Sequence, residues 1–236
     1  MPNDSVSPGS ARYGNFPDYY KFNSVTERMQ YITQLTNIHF DGLQCRKTIR
    51  CIDIGCNTGD LTLELYQWLS SLLQLPVQVR GVDIDENLIQ CAQAKYAQHY
   101  PQVCFEQFDL MSRGDASGGV LKIGETDKAD VIFCFSVTLW IHINHGDAGL
   151  DDFLMNISNS CQYLVLESQP WKCYRTAARR AKRAGQPPFP YYDKLSVRGN
   201  VTDYIDKFLV NQCAMSRVVN LGNTNWGRDI VLYKNT

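Results

Sequence analysis

The sequence predicts an α/β domain, Rossmann-like, with a mostly parallel seven-stranded sheet and helices on both faces. Three observations support this fold class. From Thr48 onward, apolar β-branched runs alternate with segments of helical periodicity. The last connection, "GNTNWGR", is short enough to join an antiparallel pair of strands. A chain of 236 residues that is 44% hydrophobic can bury one sizeable core, so we expect a single domain over 1–236.

The first half of the alternation predicts three strands and two helices. "TIRCIDIG" reads as a buried strand, and "DLTLELYQWLSSLL" at 60–73 as a helix with leucines along one face. "VQVRGVDI" is the second strand, and Asp85 is the expected N-cap of the helix that follows it. "VCFEQFDL" is the third strand. The segment 111–128, rich in Gly, Ser and Asp, is expected to be a loop.

The second half continues the same pattern. "ADVIFCFS" is the fourth strand, "DAGLDDFLMNISNSC" a helix that starts at Asp147, and "QYLVLES" the fifth strand. A basic helix follows Trp171, and "TDYIDKFLV" is a more polar helix. Two late strands are expected around 216–221 and 229–233.

The cysteine pattern bears on compartment and metal content. Nine cysteines with no C-x-x-C pair argue against a disulfide framework and against a zinc site. We therefore expect no metal and a reducing, cytoplasmic location. The start, "MPNDSVSPGS", lacks the features of a secretory signal, and we expect residues 1–12 to be a mobile lead.

The turn after the first strand, "IDIGCNTGDL", is the first candidate site. It departs from the dinucleotide fingerprint because Asn57 stands where a second Gly would fall. A tight strand-to-helix turn without any ligand is the alternative. The acidic Asp53 before the turn, with Gly55 and Gly59 within it, favours a cofactor site of the kind typical of S-adenosylmethionine enzymes.

The ends of the next two strands extend this site. Asp83 is placed to accept hydrogen bonds from both hydroxyls of a ribose, and Ile84 would lie against an adenine. Asp109 and Leu110 would flank its far side. No basic residue stands where a pyrophosphate would bind, so S-adenosyl-L-methionine, which has no phosphate, fits better than NAD.

A second candidate region is strongly basic. Residues 168–198 hold eight Lys or Arg and one Asp, in a chain whose formal net charge is −1. The helix after Trp171 is expected to place its cations on one stripe, at positions 172, 175, 179 and 182, with Arg180 and Arg183 beside it. The stripe predicts an anionic partner, and a solvated surface face is the alternative.

Four blocks together carry a family resemblance: "GCNTGDL", "VDID", "SVTLWIHINHGDAGL" and "ESQPWKCYR". They resemble the bicoid-interacting-type domain of RNA 5′-phosphate methyltransferases, and the branch that acts on monophosphates more than the branch that caps a nuclear RNA. Leu139 stands where the capping branch has Lys. The resemblance implies the class I S-adenosylmethionine-dependent methyltransferase fold and methyl transfer to the 5′-terminal phosphate of small RNAs. Such RNAs include a histidine tRNA and microRNA precursors.

The resemblance also implies site residues. The implied cofactor contacts are Tyr20, Arg28, Gly55, Asn57, Asp83, Ile84, Asp109, Leu110 and Phe135. Arg28 would pair with the methionine carboxylate, a bidentate role suited to Arg, and residues 13–30 would form a lid over the cofactor. The basic helix would carry the RNA backbone through Arg175, Arg179, Arg180, Lys182 and Arg183. We expect a monomer without membrane contact.

Methyl transfer to a phosphate needs little acid–base chemistry. The second pKa of a terminal phosphate is about 6, so the nucleophile is already deprotonated at neutral pH. The protein must instead hold the two reactants at near-attack distance. The expected catalytic groups follow the fourth and fifth strands: His142, Gln169, Lys172 and Tyr174. His142 either donates to a phosphate oxygen or bonds a neighbouring backbone carbonyl.

Two further residues keep alternative interpretations. Trp171 either stacks on the first base of the RNA or packs against the sheet edge. Glu167 is expected to orient Lys172, Arg28 or the terminal ribose. For the whole chain, the alternatives are an enzyme that methylates a γ-phosphate, a catalytically idle RNA-binding scaffold, and a small-molecule methyltransferase. The last of these leaves the basic helix unexplained.

Overall fold

The computed structural model describes residues 12–15, 19–112 and 128–236. Its strands are β1 Ile49–Ile54, β2 Val77–Asp83, β3 Val103–Gln107, β4 Ala129–Phe135, β5 Cys161–Glu167, β6 Met215–Asn223 and β7 Asp229–Asn235. They form one seven-stranded sheet in the order β3-β2-β1-β4-β5-β7-β6. β1 to β5 pair in parallel, whereas β7 is antiparallel to both β5 and β6. The predicted sheet and its antiparallel last pair are confirmed.

Helices cover both faces of this sheet. They are α1 Val25–Ile32, α2 Asp60–Leu73, α3 Glu86–Tyr96, α4 Thr138–Asn159, α5 Trp171–Arg183 and α6 Val201–Gln212, with short 3-10 helices at Tyr19–Lys21 and Asn37–Phe40. On one face α4, α5 and α6 pack on residues such as Ile132 and Leu164. On the other, α1 and α2 pack on Val131 and Val165. Adjacent strand residues thus point to opposite cores, as expected for strands buried on both sides.

Most predicted elements match the structure. α2 has the predicted bounds, and the Asp85 side chain caps α3 by accepting a 2.9 Å hydrogen bond from the Asn87 backbone N–H. The predicted loop 111–128 falls almost entirely on residues 113–127, and most of the expected lead on residues 1–11. Both ranges lie outside the described residues. None of the helices in the described ranges has the length and apolar character that a membrane crossing requires.

The start of α4 corrects the sequence prediction. α4 begins at Thr138, nine residues before the predicted start, and continues through Gly146, whose φ of 78° interrupts the helical backbone. The glycine breaks the periodicity, so sequence alone identified only the second half. The first turn depends on a distant partner, because the Leu139 backbone N–H donates to the Gln169 side chain, 3.1 Å away. This bond satisfies a donor that the helix itself leaves open.

Candidate functional site

A first cavity opens at the carboxyl edge of the sheet. The ends of β1, β2 and β4 and the loop after β3 form most of its wall, which includes Ile54, Gly55, Asn57, Val82, Asp83, Ile84, Phe108, Asp109, Leu110, Met111, Phe135, Ser136 and Val137. α4 adds Trp140, Ile141 and His145, and the N-terminal segment adds residues 13–15 and Tyr19. Ligands of open α/β sheets bind at this edge, near the switch in strand order.

The turn after β1 shapes the cavity floor. Gly55 has a φ of +74°, and a Cβ there would lie 2.6 Å from Val137 Cγ2, so a side chain at this position would clash with Val137. Asn57 also adopts a left-handed conformation, with φ 52°. Asn is among the few residues other than Gly that adopt it readily, which explains its presence in a position that favours glycine.

Asp83 is fixed at the wall of this cavity. One carboxylate oxygen accepts from the Asn57 backbone N–H at 2.9 Å, and the other from the Asp85 N–H at 3.0 Å. Burial raises the pKa of Asp83, and the same backbone hydrogen bonds oppose the rise. Each oxygen keeps a lone pair for a hydroxyl of a ligand.

The lining suits a nucleoside without phosphates. Ile84, Phe108 and Leu110 give apolar surface for an adenine ring, beside the acceptor carboxylate of Asp83. No Lys or Arg is among the described residues that line this cavity. Seven of the expected cofactor contacts lie here: Gly55, Asn57, Asp83, Ile84, Asp109, Leu110 and Phe135. S-adenosylmethionine fits this combination of an acceptor carboxylate and apolar surfaces.

Three expected contacts support the turn from outside the cavity. Asp53 is 2% exposed and accepts a 2.6 Å hydrogen bond from Thr62 Oγ1. Gly59 is the N-cap of α2, with φ 81°, and a Cβ there would lie 2.7 Å from the ring of Phe105. Tyr20 donates to the Cys56 carbonyl at 3.2 Å. None of the three is among the described residues that line the first cavity, and their contact with the cofactor stays a prediction.

The variant Asp53→Asn tests whether Asp53 is buried behind the turn. Burial, with the charge of Asp83, raises the pKa of Asp53 to about 7, against a hydrogen bond from Thr62 and the charge of Arg28. An acid whose pKa is raised on folding costs stability as pH rises from the unfolded pKa, about 3.9, to the folded one. The variant should therefore gain about 2–4 kcal/mol of unfolding free energy relative to wild type between pH 4 and 7, and no more above. Urea denaturation across this range measures it.

The same variant reports on cofactor binding by calorimetry. We expect its Kd for S-adenosylmethionine to stay within about threefold of wild type, less than 1 kcal/mol. A large loss of cofactor affinity with unchanged pH dependence of stability would show instead that the carboxylate contacts the cofactor.

Arg28 lies behind the cavity wall. It is 1% exposed, and its Nε and Nη2 donate to Glu167 Oε2 and Oε1 at 2.7 and 3.2 Å. Nη2 also reaches Tyr19 and Ser136, which do line the cavity. The structure thus gives Arg28 a buried ion pair with Glu167, and its expected pairing with a methionine carboxylate stays a prediction. It confirms the expectation that Glu167 engages Arg28.

A second arginine, Arg228, completes this buried network. Its Nη1 donates to Ser136 Oγ and lies 3.0 Å from Glu167 Oε1. Burial alone would raise the pKa of Glu167, but the charges of Arg28 and Arg228 and hydrogen bonds from Arg28 and Ser136 lower it to about 2. One carboxylate thus holds two guanidinium groups, and the network keeps a net positive charge.

A second cavity adjoins the first on the side of α5. Its described lining is Tyr19, Phe22, Asn23, Ser136, Leu139, Trp140, Gln169, Lys172, Cys173, Thr176, Ala177, Arg180, Trp226 and Arg228. Lys172, Arg180 and Arg228 make it cationic. Tyr19, Ser136 and Trp140 line both cavities. A site for an anion therefore lies against a site for a nucleoside that no described Lys or Arg lines.

Ser136 stands at this junction. It has a φ of 62°, rare for a residue other than glycine, and its hydroxyl donates to Glu167 Oε1 at 2.6 Å. Unusual backbone conformations of this kind concentrate at functional sites. Sequence reasoning missed both Ser136 and Arg228. Ser136 could have been predicted as a site residue because it directly follows β4. Arg228 lies in the turn before the last strand, and no sequence pattern points to it.

Four expected catalytic residues divide into two groups. Lys172 and Gln169 line the second cavity, and the Gln169 amide is bonded to Thr138 and to the Leu139 and Ser136 backbone. His142 and Tyr174 are fully buried and line neither cavity.

His142 is instead part of a buried chain of hydrogen bonds. Its Nε2 lies 2.8 Å from Asp147 Oδ1 and its Nδ1 lies 3.1 Å from the Tyr174 hydroxyl. Burial lowers the pKa of His142, against the pull of Asp147. Asp147 also accepts hydrogen bonds from the backbone N–H groups of Ser196 and Val197. This series of hydrogen bonds therefore links α4, α5 and the segment 196–197. This geometry corrects the expected phosphate contact and favours a structural role.

The expected RNA-binding residues also separate. Trp171 stacks on Tyr174 and Tyr192, with ring centroids 5.0 and 5.6 Å apart, so its ring packs within the protein. The predicted cationic stripe divides, because α5 rests on the core through Tyr174, Ala177 and Ala181. Lys172 and Arg180 face the second cavity, whereas Arg175, Arg179 and Lys182 line a separate groove and Arg183 is exposed.

The chain matches two family patterns. That of the bicoid-interacting protein 3 family matches residues 129–235, and that of a methyltransferase domain matches residues 51–159. Among solved structures, the N-methyltransferase NodS of Bradyrhizobium japonicum with S-adenosyl-L-homocysteine is similar at a TM-score of 0.60 and 14% identity, over 99% of each chain. Magnesium protoporphyrin IX methyltransferase of Synechocystis with bound S-adenosylmethionine is similar at a TM-score of 0.55 and 16% identity, over 100% of each chain. These likenesses show the class I methyltransferase fold, whose cofactor is S-adenosyl-L-methionine.

Curated relatives align over nearly the whole chain. The pre-miRNA 5′-monophosphate methyltransferase of Xenopus laevis is 37% identical, covering 97% of this chain and 94% of that protein. The RNA 5′-monophosphate methyltransferase of Homo sapiens is 34% identical, covering 97% and 82%. The 7SK snRNA methylphosphate capping enzyme of Mus musculus is 25% identical, covering 69% and 32%. The chain therefore belongs to the family of RNA 5′-monophosphate methyltransferases within the bicoid-interacting protein 3 group.

Proposed function

We propose that this protein transfers a methyl group from S-adenosyl-L-methionine to the 5′-terminal phosphate of small RNAs that carry a monophosphate. The contact between the two cavities carries this conclusion. The first cavity, which suits a nucleoside cofactor and has no Lys or Arg among its described lining residues, shares Tyr19, Ser136 and Trp140 with a second cavity lined by three cationic side chains. The sulfonium of the bound cofactor supplies the methyl group, and the shared wall is where that group would meet an anionic acceptor.

Arg228 is the best placed donor for the phosphate. It lines the second cavity, and its Nε is buried without a hydrogen-bond partner among the described residues. A buried donor without a partner is costly, and a phosphate oxygen would satisfy it. The bonds from Arg228 to Ser136 and Glu167 fix the guanidinium before the substrate arrives. Lys172 adds an exposed cation at the rim.

The site needs no general base. A 5′-phosphate is mostly dianionic at neutral pH, so no proton has to leave the attacking oxygen. His142, which is buried beside α5, contacts Asp147 and Tyr174 and is not among the described lining residues of either cavity. What these residues contribute is positioning, which can lower a barrier by about 7–11 kcal/mol in the best oriented systems.

An aromatic ring at the rim favours a nucleotide. Phe22 lines the second cavity while 59% of its surface is exposed, which is unusual for a phenylalanine. It is placed to stack on the first base, the role that the sequence suggested for Trp171. We further propose microRNA precursors and a histidine tRNA as substrates, a cytoplasmic location and a monomeric enzyme.

The decisive experiment offers labelled S-adenosylmethionine with one RNA sequence that carries a 5′-hydroxyl, a 5′-monophosphate or a 5′-triphosphate. We expect label in the monophosphate RNA. Removing the 5′-phosphate with a phosphatase before the reaction should abolish labelling, whereas phosphatase treatment after the reaction should leave the label in place, because a methylated phosphate is a diester. Equal labelling of the hydroxyl RNA would refute phosphate methylation. Label confined to the triphosphate RNA would instead support the capping activity.

A further inference from the structure

Two different surfaces flank α5. One flank lines the cationic second cavity through Lys172 and Arg180. The opposite flank borders two adjoining depressions, which we call the outer groove. Both depressions are lined by Ala178, Lys182 and Tyr192; Arg175 and Arg179 belong to one, and Phe189 and Asp193 to the other. An RNA chain that starts in the second cavity would reach the outer groove by crossing α5, whose diameter with side chains is about 10–12 Å.

Tyr192 ends a stack of aromatic rings in this groove. Trp171 lies nearly parallel to Tyr192, at 5.6 Å and 6° between the ring planes, and it also stacks on the buried Tyr174. One side of the Tyr192 ring is thus covered by Trp171, while the residue lines both depressions. The small side chain of Ala178 leaves room beside the ring for a flat ligand.

The stack is held in place by Arg198. Its Nη2 donates to the Tyr192 carbonyl at 2.9 Å, and its Cζ lies 5.5 Å from the centre of the Trp171 ring. The Tyr192 ring is therefore fixed before any ligand arrives, so little side-chain entropy is lost on binding.

We propose that the outer groove binds an unpaired nucleotide of the substrate RNA that lies close to the reacting end, with its base stacked on Tyr192. Arg175, Arg179 and Lys182 neutralise the phosphates on either side of this base. Aromatic rings in a cationic groove are the usual platform for single-stranded RNA, because every base has a flat face that stacks. This inference rests on the proposed function, since it takes the RNA 5′ end to lie in the second cavity.

Equilibrium binding of a single-stranded 5′-monophosphate RNA, with S-adenosylhomocysteine present to prevent turnover, tests the groove. Tyr192→Leu keeps an apolar side chain against Trp171 but removes the stacking face, and it should weaken RNA binding about 5- to 100-fold. Tyr192→Phe should bind within about twofold of wild type. Guanosine 5′-monophosphate, which reaches only the second cavity, should bind the Leu variant as it binds wild type.

The charges of the groove have a separate readout. Changing Arg175, Arg179 and Lys182 together to Gln should reduce the slope of log K against log salt by about 2, because each phosphate contact on a single strand contributes about 0.7. Tyr191→Leu is the matched control for Tyr192→Leu, since Tyr191 is a neighbouring exposed tyrosine that lines neither depression. The RNA affinity of this control variant should stay at the wild-type level.

Three results would overturn the inference: unchanged RNA affinity in Tyr192→Leu, an equal loss for RNA and for guanosine 5′-monophosphate, or an unchanged salt slope in the triple variant. Failure of the proposed function looks different. In that case the wild-type protein itself would not methylate the monophosphate RNA, whatever Tyr192 does.

Discussion

Replacing Arg228 with methionine is expected to lower kcat/KM for a 5′-monophosphate RNA by about 100- to 1000-fold. This is the size of effect found when one fixed donor to an anionic reacting group is removed. Arg228 brings two groups to the cavity that would hold the phosphate: a bonded Nη1, and a buried Nε that has no hydrogen-bond partner in the part of the chain that the structure describes. Methionine fills a similar volume without a charge, and Glu167 keeps its ion pair with Arg28. Initial rates of methyl transfer to RNA measure the loss.

The control for this prediction is Arg217→Met. Arg217 lies on β6, the other strand of the same hairpin, and its side chain is 45% exposed with Asp206 3.7 Å away. Its kcat/KM should remain at the wild-type value. Binding of S-adenosylmethionine, followed by calorimetry, should be unaffected in both variants, because Arg228 does not line the first cavity. If Arg228→Met had the wild-type kcat/KM, the phosphate would have to be bound by another residue of this cavity.

Glu167→Gln is expected to have the largest effect on stability. The change leaves two guanidinium groups, Arg28 and Arg228, without their shared counter-charge in the interior. Breaking a buried ion pair from one side costs about 3–5 kcal/mol. Urea denaturation at pH 7 should show this decrease in the free energy of unfolding. Glu106→Gln is the control, because the Glu106 carboxylate pairs with Arg80 at the surface, 52% exposed, and such pairs contribute about 0–1 kcal/mol.

The pH dependence identifies the cause of this loss. The pKa of Glu167 falls on folding from 4.5 to about 2, so its contribution is fully present above the unfolded pKa. As pH falls from about 5 to 2, the unfolded chain takes up the proton first and the wild-type advantage shrinks. The difference between wild type and Glu167→Gln should therefore be constant above pH 6 and narrow below pH 5. A difference that stays constant down to pH 3 would assign the loss to packing instead of charge.

The sequence predicts the sheet and much of the cofactor cavity because both depend on local signals. Apolar runs and helical periodicity indicate strands and helices, and parallel strands bring their carboxyl ends to one edge. Gly55 and Asp83 could be placed at that edge without knowing the rest of the fold. The start of α4 could not be predicted, because Gly146 breaks the periodicity and the bond that supports the first turn comes from Gln169.

The residues that we propose to contact the phosphate are also harder to predict, because their positions depend on distant parts of the chain. A histidine and a tyrosine beside a specific motif, such as His142 and Tyr174, suggest catalysis, yet the structure buries both against Asp147 and each other. No pattern in the sequence points to Arg228. It lies in the cationic cavity only because β7, which follows it, pairs with β5, whose last residue is Glu167.

By itself, the sequence determined the order of strands and helices, the cofactor turn and an excess of positive charge after the fifth strand. Each of these properties belongs to neighbouring residues, so periodicity and composition reveal it. Only the tertiary structure decided which charges are buried in pairs, which face a cavity and which line the outer groove. A charge is active or structural according to its partners and its access to water, and both are set by segments far apart in the chain.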